Sequence, residues 1–464
     1  MNRFTSITFM LCVAAATLTQ SCKKSDTKPA DNPEVVTPEK TKPTANFTAQ
    51  TVTADKFGKT YSFKGIATNY KTVKWDFGDS NTSTEMNAEH KYTAYGSFKV
   101  VFTTADADGN IAKKEVTIAV ADPSKWNTYA EKGQEALETY FYDPTGKYYK
   151  TTQTDFGFNY WWNAHALGVK VDAYNRTNDP KYLTQMKNVL QGSYNKNGNK
   201  FKNDFYDDME WWAISCLRAY DATKDITYKN AAVELWGYIK TGWTDKNHGG
   251  IMWNINTPDG KNACSNGPAA IIAARLYQLD KNPDDLAWAK KIYEWEKQYL
   301  VDAATGLVWD AYGNYDNGWR FTYNQGTYIG AAVELYAITK EAKYLNDAKQ
   351  TTNSILTDSF FNSQGILIGN GTGDGGLFKG ILIRYMVQLI LKGDLDAATK
   401  TTYSTYLVKN AESLVATAVK SPERYYGPNW REQPKNDEYH SSVALSGLML
   451  FEGVHELWRL DIVK

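Results

Sequence analysis

A helical pattern that returns about every 45–60 residues is the feature of this chain that most restricts its fold. Tyr174, Tyr220, Tyr277 and Tyr336 each end an apolar helical stretch, and a short polar turn and a second helical stretch follow. Three of these tyrosines have another tyrosine eight residues later. Because a single helical hairpin cannot bury its own apolar face, this repetition predicts hairpins that stack on one another.

From about residue 123 the pattern predicts twelve helices of two alternating kinds. Even-numbered helices contain more Ala, Gly, Leu and Ile, whereas odd-numbered ones carry more Lys, Asp and Glu. A helix that is apolar on several sides is buried, and a one-sided helix lies outside. Six inner and six outer helices predict a mainly α fold, an (α/α)6 toroid. The predicted helices are 124–141, 159–176, 179–195, 207–222, 226–241, 264–279, 284–300, 325–339, 341–356, 376–392, 396–419 and 441–458.

The first 21 residues have the composition of a secretory signal. Arg3 precedes an apolar stretch from residue 7 to 16, and residues 18–22 read Leu-Thr-Gln-Ser-Cys. A short apolar core before a small residue is typical of such signals. Because it ends in cysteine, the segment resembles a bacterial lipoprotein signal, which implies that Cys22 carries lipid. We expect a lipid-anchored protein of the bacterial cell envelope, at the outer membrane; an ordinary signal peptide is the alternative.

Two segments separate this signal from the helical domain, which we place at 122–464. Residues 22–43 have few large apolar side chains, which predicts a flexible tether. Residues 44–121 contain short alternating runs such as 98–102 and 115–120, which predict strands. The stretch 73–79, Val-Lys-Trp-Asp-Phe-Gly-Asp, resembles that of polycystic-kidney-disease-type (PKD) domains. The resemblance implies a small all-β, immunoglobulin-like sandwich in which Asp76 and Asp79 are structural. We expect a spacer, with weak sugar binding as the alternative.

Composition excludes some classes of function. Lys+Arg and Asp+Glu both number 52, so the chain has no excess of basic residues with which to bind nucleic acid. Aromatic residues reach 14%, a content that suits stacking on neutral sugars. No later segment has the roughly 18 apolar residues that a membrane span needs. Beyond the signal only Cys216 and Cys264 remain, so we expect buried thiols, with one bridge between them as the alternative.

Two adjacent acids, Asp207 and Asp208, begin the fourth predicted helix. They lie in the run 205–212, Phe-Tyr-Asp-Asp-Met-Glu-Trp-Trp. Glycosidic bond cleavage needs two carboxyl groups, one to protonate the leaving oxygen and one to attack or stabilise the sugar, and aromatic rings can hold the sugar. The alternative is a helix start, where acids interact with free backbone N–H groups.

The run 206–211 resembles the signature of glycoside hydrolase family 76, the α-1,6-mannanases. Other stretches, at 161–164, 323–326 and 378–381, also resemble the family and occur in the family's order. The resemblance extends over about 125–460. It implies the same (α/α)6 fold and a retaining endo-hydrolase of the α-1,6-mannose backbone of mannan. The partner would be α-1,6-mannan polysaccharide or oligosaccharide, with no cofactor and no metal, and we expect a monomer.

The resemblance assigns Asp207 as the nucleophile and Asp208 as the general acid/base, whereas the residues alone do not separate the two roles. It also implies that Asp310 and Tyr323 contact the sugar beside the scissile bond. Parallel inner helices would gather their N-termini at one mouth, which predicts a cleft there. The full set predicted to bind substrate is Trp162, Asn163, Tyr206, Trp212, Asp310, Tyr323, Asn324, Gln325, Phe378 and Lys379.

Some of these residues have a structural alternative. Asn324 and Gln325 could cap an inner helix, and Trp162 could lie in the core. Among the histidines, His248 and His440 are further candidates for substrate contact. The other two in the helical domain are expected in the core or at the rim.

Residues 371–376, Gly-Thr-Gly-Asp-Gly-Gly, match a dinucleotide-binding fingerprint by spacing. The surrounding chain is made of helix pairs, however, and not of alternating strands and helices. We therefore expect a loop over the cleft.

Two other functions compete with hydrolysis. The first is a transglycosidase, because relatives in fungal walls transfer glycan chains. The second is an inactive, surface glycan-binding lipoprotein, which the presence of both acids argues against.

Overall fold

The structure, a computed structural model, describes residues 41–55, 58–93, 95–120, 122–155, 157–417, 419–420, 425–435 and 438–464. The predicted signal segment 1–21, the lipidation site Cys22 and the tether up to residue 40 lie outside the described residues. None of the helices in the described part of the chain is long and apolar enough to cross a membrane.

An antiparallel β-sandwich of seven strands precedes the helices within the described ranges. One sheet has the order β1–β2–β5 and the other β4–β3–β6–β7. Both predicted runs, 98–102 and 115–120, lie in strands. The strands are β1 Asn46–Asp55, β2 Gly58–Ile66, β3 Thr72–Asp76, β4 Thr82–Ser83, β5 Asn87–Tyr92, β6 Gly96–Ala105 and β7 Ile111–Val120.

The PKD-like stretch forms the centre of the sandwich core. Trp75 and Phe77 are buried, and the Trp75 indole N–H donates to the carbonyl of Glu85 at 2.8 Å. Asp76 accepts the backbone N–H of Gly78 at 2.9 Å. Asp79 bonds the ring of His90 at 2.7 Å. Both acids therefore have the structural roles that the resemblance implies.

Twelve helices follow in the part of the chain that the structure describes, close to their predicted positions. They are α1 Lys125–Phe141, α2 Tyr160–Thr177, α3 Pro180–Lys196, α4 Tyr206–Thr223, α5 Ile226–Lys240, α6 Ala263–Asp280, α7 Pro283–Tyr299, α8 Thr322–Thr339, α9 Ala342–Thr357, α10 Gly375–Lys392, α11 Ala397–Thr417 and α12 Ser441–Arg459. Short hairpins pair Tyr142–Asp143 with Tyr148–Tyr149, Asn362–Ser363 with Ile366–Leu367, and Val419–Lys420 with Tyr425–Tyr426, and 3₁₀ turns cover Lys246–His248 and Asn317–Trp319.

The repeated tyrosines mark the turn of each helical hairpin. After α2, α4, α6 and α8 the capping residue is left-handed, and its backbone N–H returns to the carbonyl of the repeated tyrosine. In the first hairpin this bond joins Asn178 to Tyr174 at 2.7 Å. The next residue, Asp179, then caps α3 by accepting the N–H of Lys181 at 2.9 Å. Two consecutive residues thus provide hydrogen-bond partners for a free carbonyl at the end of α2 and a free N–H at the start of α3.

The even-numbered helices close into a ring. Each packs against the next, from α2 to α12, and α12 packs against α2. The approach is close where glycine lies in the seam: a Cβ on Gly326 of α8 would come within 2.7 Å of the Leu382 Cα. The odd-numbered helices lie outside, each against an even-numbered neighbour. The predicted (α/α)6 toroid is confirmed.

The sandwich also contacts the helices. Asp122, between them, pairs with His455 of α12 at 2.5 Å, and both side chains are buried. Trp458 of the same helix packs against the sandwich core. Cys216 and Cys264 are buried free thiols, as expected, and the alternative bridge is not formed.

Candidate active site

A cavity of about 450 Å³ opens where the inner helices begin. Its lining comes from the starts of α2, α4, α6, α8 and α10 and from the loops before them. It contains three aspartates and seven aromatic rings, and no Lys, Arg or His is among the described lining residues. The lining is Trp161, Asp207, Trp211, Trp253, Asn262, Cys264, Asp310, Trp319, Phe321, Tyr323, Asp374, Phe378 and Ile381.

Asp207 reaches this cavity from the first turn of α4. The residue before the helix, Phe205, is extended and offers no side-chain cap, so the first-turn N–H groups face the acids. Burial raises the pKa of Asp207 to about 7, and the charge of Asp374 adds to this, whereas backbone N–H groups and the Cys264 thiol oppose it. Asp207 Oδ1 is buried and has no hydrogen-bond partner within the described residues. One carboxylate oxygen is therefore left for chemistry.

Asp208 follows on the same turn and is half-buried, outside the lining of this cavity. Burial, then the charges of Asp207 and Asp374, raise its pKa well above the usual range. Like charges this close oppose double ionisation, so the pair retains a proton.

Asp310 lines the same cavity from the loop before α8 and is held by hydrogen bonds. The Tyr323 hydroxyl donates to its Oδ1, and Asn262 Nδ2 donates to its Oδ2 at 3.2 Å. Asn324 lies close enough to lower its pKa, although burial has the larger effect and raises it. The predicted residues Asp207, Asp310, Tyr323 and Phe378 are thus brought to one cavity, with Asn324 behind it.

Asp374, from the glycine-rich loop before α10, is a third acid in the cavity. Its Oδ1 accepts the indole N–H groups of Trp161 at 3.1 Å and of Trp162 at 2.8 Å. The loop 371–376 was expected to lie over the cleft, and the structure does place one of its residues in the cavity wall. Trp162 itself is buried behind that wall, so its predicted sugar contact becomes a contact with Asp374.

Two predicted sugar ligands have backbone roles instead. The Asn163 amide bonds both the N–H and the C=O of Tyr149, at 2.7 and 3.0 Å. Gln325 does the same to Val308, at 2.8 Å each. Each is the fourth residue of its inner helix, and both are buried. A side-chain amide has an oxygen that accepts and an NH₂ group that donates, so it can bond both the N–H and the C=O of a peptide group in the preceding loop. The NH₂ groups also donate to the backbone carbonyls of Asn159 and Phe321, so both amides are engaged by backbone.

Tyr206, Trp212 and Lys379 are also displaced from their predicted role, because all three are buried outside the cavity lining. Tyr206 packs against Gly242. The Trp212 indole donates to the Tyr160 carbonyl at 3.0 Å. Lys379 Nζ donates to the carbonyl of Pro428 at 2.6 Å, and burial holds the pKa of this amine well below its usual range.

The two candidate histidines also lie outside the cavity lining. His248 stacks on Tyr299, with ring centroids 5.1 Å apart. His440 precedes α12, 6.4 Å from the Trp162 ring. His165, expected in the core or at the rim, is buried against Trp211, and burial lowers its pKa to about 3. Within the described ranges, no group of three or more His, Cys, Asp or Glu side chains is arranged to hold a metal ion.

Several cavity residues were missed by sequence reasoning. Trp253, Trp319 and Phe321 come from loops that carry no periodic pattern. Glu210 belongs to the acidic run 205–212, but the sequence does not show how deeply it is buried. It is fully buried, as is Glu296 of α7, and neither carboxyl group has a hydrogen-bond partner among the described residues. Burial raises the pKa of both well above the usual range, which favours their protonated, neutral forms.

Comparison with known proteins decides the family. A family model described as glycosyl hydrolase family 76 matches residues 125–455, and a PKD domain model matches residues 40–120. The chain belongs to glycosyl hydrolase family 76. It is therefore a glycoside hydrolase that carries an N-terminal PKD domain.

Solved family 76 structures share this fold. The α-1,6-mannanase GH76A from Salegentibacter sp. HEL1_6 is 45% identical, covering 72% of this chain and all of that one, with a TM-score of 0.69. A variant of it, inactive through replacement of two consecutive aspartates by asparagine, was solved with α-1,6-mannotriose. A mannosidase of Bacteroides thetaiotaomicron covers 73% of this chain and all of its own, at 19% identity and a TM-score of 0.62.

Curated relatives are more distant. A putative mannan endo-1,6-alpha-mannosidase of Schizosaccharomyces pombe is 22% identical over 66% of this chain and 76% of its own length. A mannan endo-1,6-alpha-mannosidase of Saccharomyces cerevisiae is 26% identical over 42% of this chain and 49% of its own length.

The glycoside hydrolase domain contains a second Asp-Asp pair, and the fold distinguishes the two. Asp284 and Asp285 begin the outer helix α7, where the Trp236 indole donates to Asp285 at 2.9 Å. Neither lines the cavity. Only Asp207 and Asp208 begin an inner helix, and inner helices start at the mouth.

Proposed function

We propose that this family 76 enzyme is a retaining endo-α-1,6-mannanase that cleaves the backbone of mannan. One observation carries the proposal. Two adjacent aspartates with raised pKa values start an inner helix, and the first of them lies in a cavity lined by aromatic rings without a cationic partner. Paired carboxyl groups of unequal proton affinity perform glycoside hydrolysis in retaining enzymes.

Asp207 is the nucleophile and Asp208 the acid/base in this proposal. Asp207 lines the cavity, and its pKa of about 7 leaves much of it ionised near neutral pH. Burial and then the negative charges of Asp207 and Asp374 raise the pKa of Asp208 well above its usual range. Because two neighbouring carboxyl groups oppose double ionisation, the pair retains a proton, and in this proposal Asp208 carries it while Asp207 attacks.

The reaction then takes two displacements. The Asp207 carboxylate attacks C1 of the mannose as the bond from C1 to the 6-oxygen of the next mannose breaks, and Asp208 gives its proton to that oxygen. In the second step water loses a proton to Asp208 and attacks C1, which releases Asp207. Two inversions at C1 give retention.

The other walls of the cavity would hold the sugar. Asp310 is fixed by Tyr323 and Asn262, so it can accept hydrogen bonds from mannose hydroxyls in a defined place. Trp253 and Trp319 line the cavity and are 39% and 50% exposed, which places aromatic faces where a longer chain would leave it. An open cleft with such platforms favours internal cleavage.

The relatives support this assignment. The Salegentibacter enzyme is named an α-1,6-mannanase, and its inactive variant lacks two consecutive aspartates. In the present chain the Asp-Asp pair at the mouth offers the same chemistry.

The deciding experiment is digestion of linear α-1,6-mannan, with products resolved by length over time. We expect a ladder of oligosaccharides before mannose accumulates, and ¹H NMR should show the α anomer first. Mannose as the first product would exclude endo action, the β anomer would exclude retention, and products longer than the substrate would indicate a transglycosidase. Binding without cleavage would indicate the inactive lipoprotein.

We further propose that the enzyme is held at the bacterial cell envelope by lipid on Cys22, with the PKD domain as a spacer. The basis is the Leu-Thr-Gln-Ser-Cys sequence at 18–22. Cys22→Ala should move the protein to the soluble fraction of cells with unchanged kcat/KM. Retention of the variant in membranes would contradict the lipid anchor.

A further inference from the structure

Asp374 has a place in the site that neither the family match nor the acid pair explains. It lies just before α10, and its Oδ1 accepts both indole N–H groups of Trp161 and Trp162. Two glycines form the turn that precedes Asp374: Gly371 and Gly373 have φ values of +79° and +60°, a backbone conformation that favours glycine. Two indoles bonded to one carboxylate oxygen fix the carboxylate in the cavity wall.

The second feature of Asp374 is that it lines the same cavity as Asp207, so the two carboxyl groups share one space. The charge of Asp374 raises the pKa of Asp207 on α4 and of Asp208 beside it. The two tryptophans that hold it are neutral, so they position the charge without cancelling it. No cation among the described residues lines the cavity.

We propose that Asp374 is a positioning residue of this site, which holds the Trp161 and Trp162 indoles at the cavity wall and by its charge keeps the acid/base proton on Asp208. This inference rests on the proposed function, because it needs Asp208 to be the proton donor. The positioning of the two indoles rests on their hydrogen bonds to Asp374. The effect on the Asp208 proton follows because a like charge nearby favours the protonated form of a carboxyl group.

Other titratable groups around Asp374 must be considered. On α4 there is Glu210, which is buried and whose pKa burial raises. On α6 and α8 there are Cys264 and Tyr323, and burial raises the pKa of both well above the usual range. Asp310 also lines the cavity. His165 of α2 lies against Trp161, and His440 before α12 lies near Trp162.

The three basic residues of α10 do not offset Asp374. Arg384 pairs with Asp172 and Lys392 with Glu334, further along the helix. Lys379 is directed to the Pro428 carbonyl and lies 3.9 Å from the Trp430 ring centroid, and burial lowers its pKa. Asp374 therefore acts on the acid pair without a compensating cation.

The test is the pH dependence of kcat/KM on an α-1,6-mannooligosaccharide for wild type and Asp374→Asn. Asparagine retains an oxygen that accepts the indole bonds but removes the charge. We expect both limbs of the profile to move to lower pH by about one unit, the shift that one nearby like charge produces. On the alkaline limb, activity at a given pH should therefore fall roughly tenfold, because a larger fraction of Asp208 has lost its proton. Asp374→Ser, a second neutral variant that can accept an indole bond, should give the same shift.

Asp394 offers a matched control. It lies just beyond the other end of α10, exposed and paired with Lys340 at 3.0 Å. Asp394→Asn makes the same change of charge about 27 Å away along the helix, and its profile should superimpose on that of wild type.

Two results would overturn the inference. One is a loss of activity in Asp374→Asn with both limbs unmoved, which would leave Asp374 a purely structural residue. The other is an unchanged profile with unchanged KM. If instead Asp207→Asn and Asp208→Asn each retain wild-type activity, the proposed function itself fails, whatever Asp374 does.

Discussion

The two ends of the helical ring differ in how their buried carboxyl groups are partnered. At the mouth, Asp207, Asp208 and Glu210 lie together at the start of α4, and burial raises the pKa of each. At the other end, Glu452 of α12 is just as buried, but Arg176 of α2 lies 2.9 Å from it.

The paired end follows the helical repeat. The thirteenth residues of α2, α4, α6 and α8 are Asp172, Arg218, Arg275 and Glu334. Arg218 pairs with Asp172, and Lys392 lies 2.9 Å from Glu334. Burial alone would raise the pKa of Glu334, yet Lys392 and Arg275 bring it below its usual range. Asp172 is the exception, because burial outweighs Arg218 and raises its pKa.

The ion pairs at one end serve the stability of the fold, whereas the carboxyl groups without cations at the mouth serve function. A buried carboxylate that serves only the fold is normally paired, since an unpaired one costs free energy. The mouth keeps several without cations, so the fold is less stable there than it could be. Buried carboxyl groups without a cationic partner are expected where a raised pKa is needed for a reaction.

The largest effect is expected from the acid pair itself. Asp207→Asn removes the nucleophile and should lower kcat/KM on mannan by more than about 10⁴-fold, as loss of a covalent catalyst does. Asp208→Asn should cost roughly 10²–10⁴-fold on mannan, less in the first step of an activated aryl mannoside, and azide should partly restore its turnover. Both variants should remain folded, which circular dichroism would show.

Asp284→Asn, at the exposed first turn of α7, is the matched control and should retain wild-type kcat/KM. Rescue of Asp207→Asn by azide, with Asp208→Asn inactive, would reverse the two roles. Near-normal activity in both variants would reduce the pair to a helix cap.

The second prediction concerns the paired end. Arg176→Met leaves Glu452 buried without its cation, so the free energy of unfolding should fall by about 3–5 kcal/mol. Denaturant titration measures this, and kcat/KM per folded molecule should be unchanged. Lys181→Met, which removes a half-exposed partner of Glu131, should cost less than about 1 kcal/mol. Equal losses for the two variants would remove the distinction between buried and surface pairs.

The third prediction is a pH dependence of stability at the mouth. The folded pKa of Asp207 is about 7, above the ordinary aspartate value of 3.8. Its contribution is therefore fully present below about pH 4 and is lost as the pH rises through 7. Asp207→Asn has no such loss. Its free energy of unfolding relative to wild type should thus improve between pH 4 and pH 8, by about 1–4 kcal/mol.

Thermal or denaturant unfolding of both proteins at the two pH values tests this prediction. Asp284→Asn should give the same difference from wild type at pH 4 and pH 8. A constant difference for Asp207→Asn as well would mean that its carboxyl group is not destabilised by burial.

The smallest effect is expected at the rim. Trp319→Ala removes a half-exposed ring of the cavity wall, and KM for long mannooligosaccharides should rise about tenfold, equivalent to about 1.4 kcal/mol. Stability should change little, because the ring is exposed. Tyr70, an aromatic residue of the PKD domain, is 44% exposed against 50% for Trp319, and Tyr70→Ala should leave KM unchanged. A rise in KM for Tyr70→Ala would show that the PKD domain contacts the glycan.

Local patterns were sufficient for the helices. Most predicted ends lie within two residues of the observed ones, because the hairpin turns carry caps that can be recognised in the sequence. The start of α8 is the largest difference, at Thr322 where 325 was predicted. Phe321, before it, provides no side-chain cap, and Thr322 and Tyr323 have modest helix propensity.

The side chains at the mouth show where local patterns stop being informative. Asn163, Gln325 and Lys379 were correctly placed near the inner helix starts, but they face loops that fold back on them and bond their polar atoms. Whether an amide meets a backbone or a sugar depends on the path of the irregular loop that precedes its helix. Such loops have no periodic sequence pattern, so their path could not be predicted from the sequence.

The amino-acid sequence by itself determined the ring and the end at which its chemistry would gather. Helical periodicity, turn caps and small residues in the inner helices are local properties, and they repeat. Only the tertiary structure decided which groups share the cavity. Asp374, Cys264, Trp253 and Trp319 join Asp207 from separate segments, and burial by those segments changes its proton affinity. Desolvation depends on everything that surrounds a group in space, so no local stretch of sequence contains it.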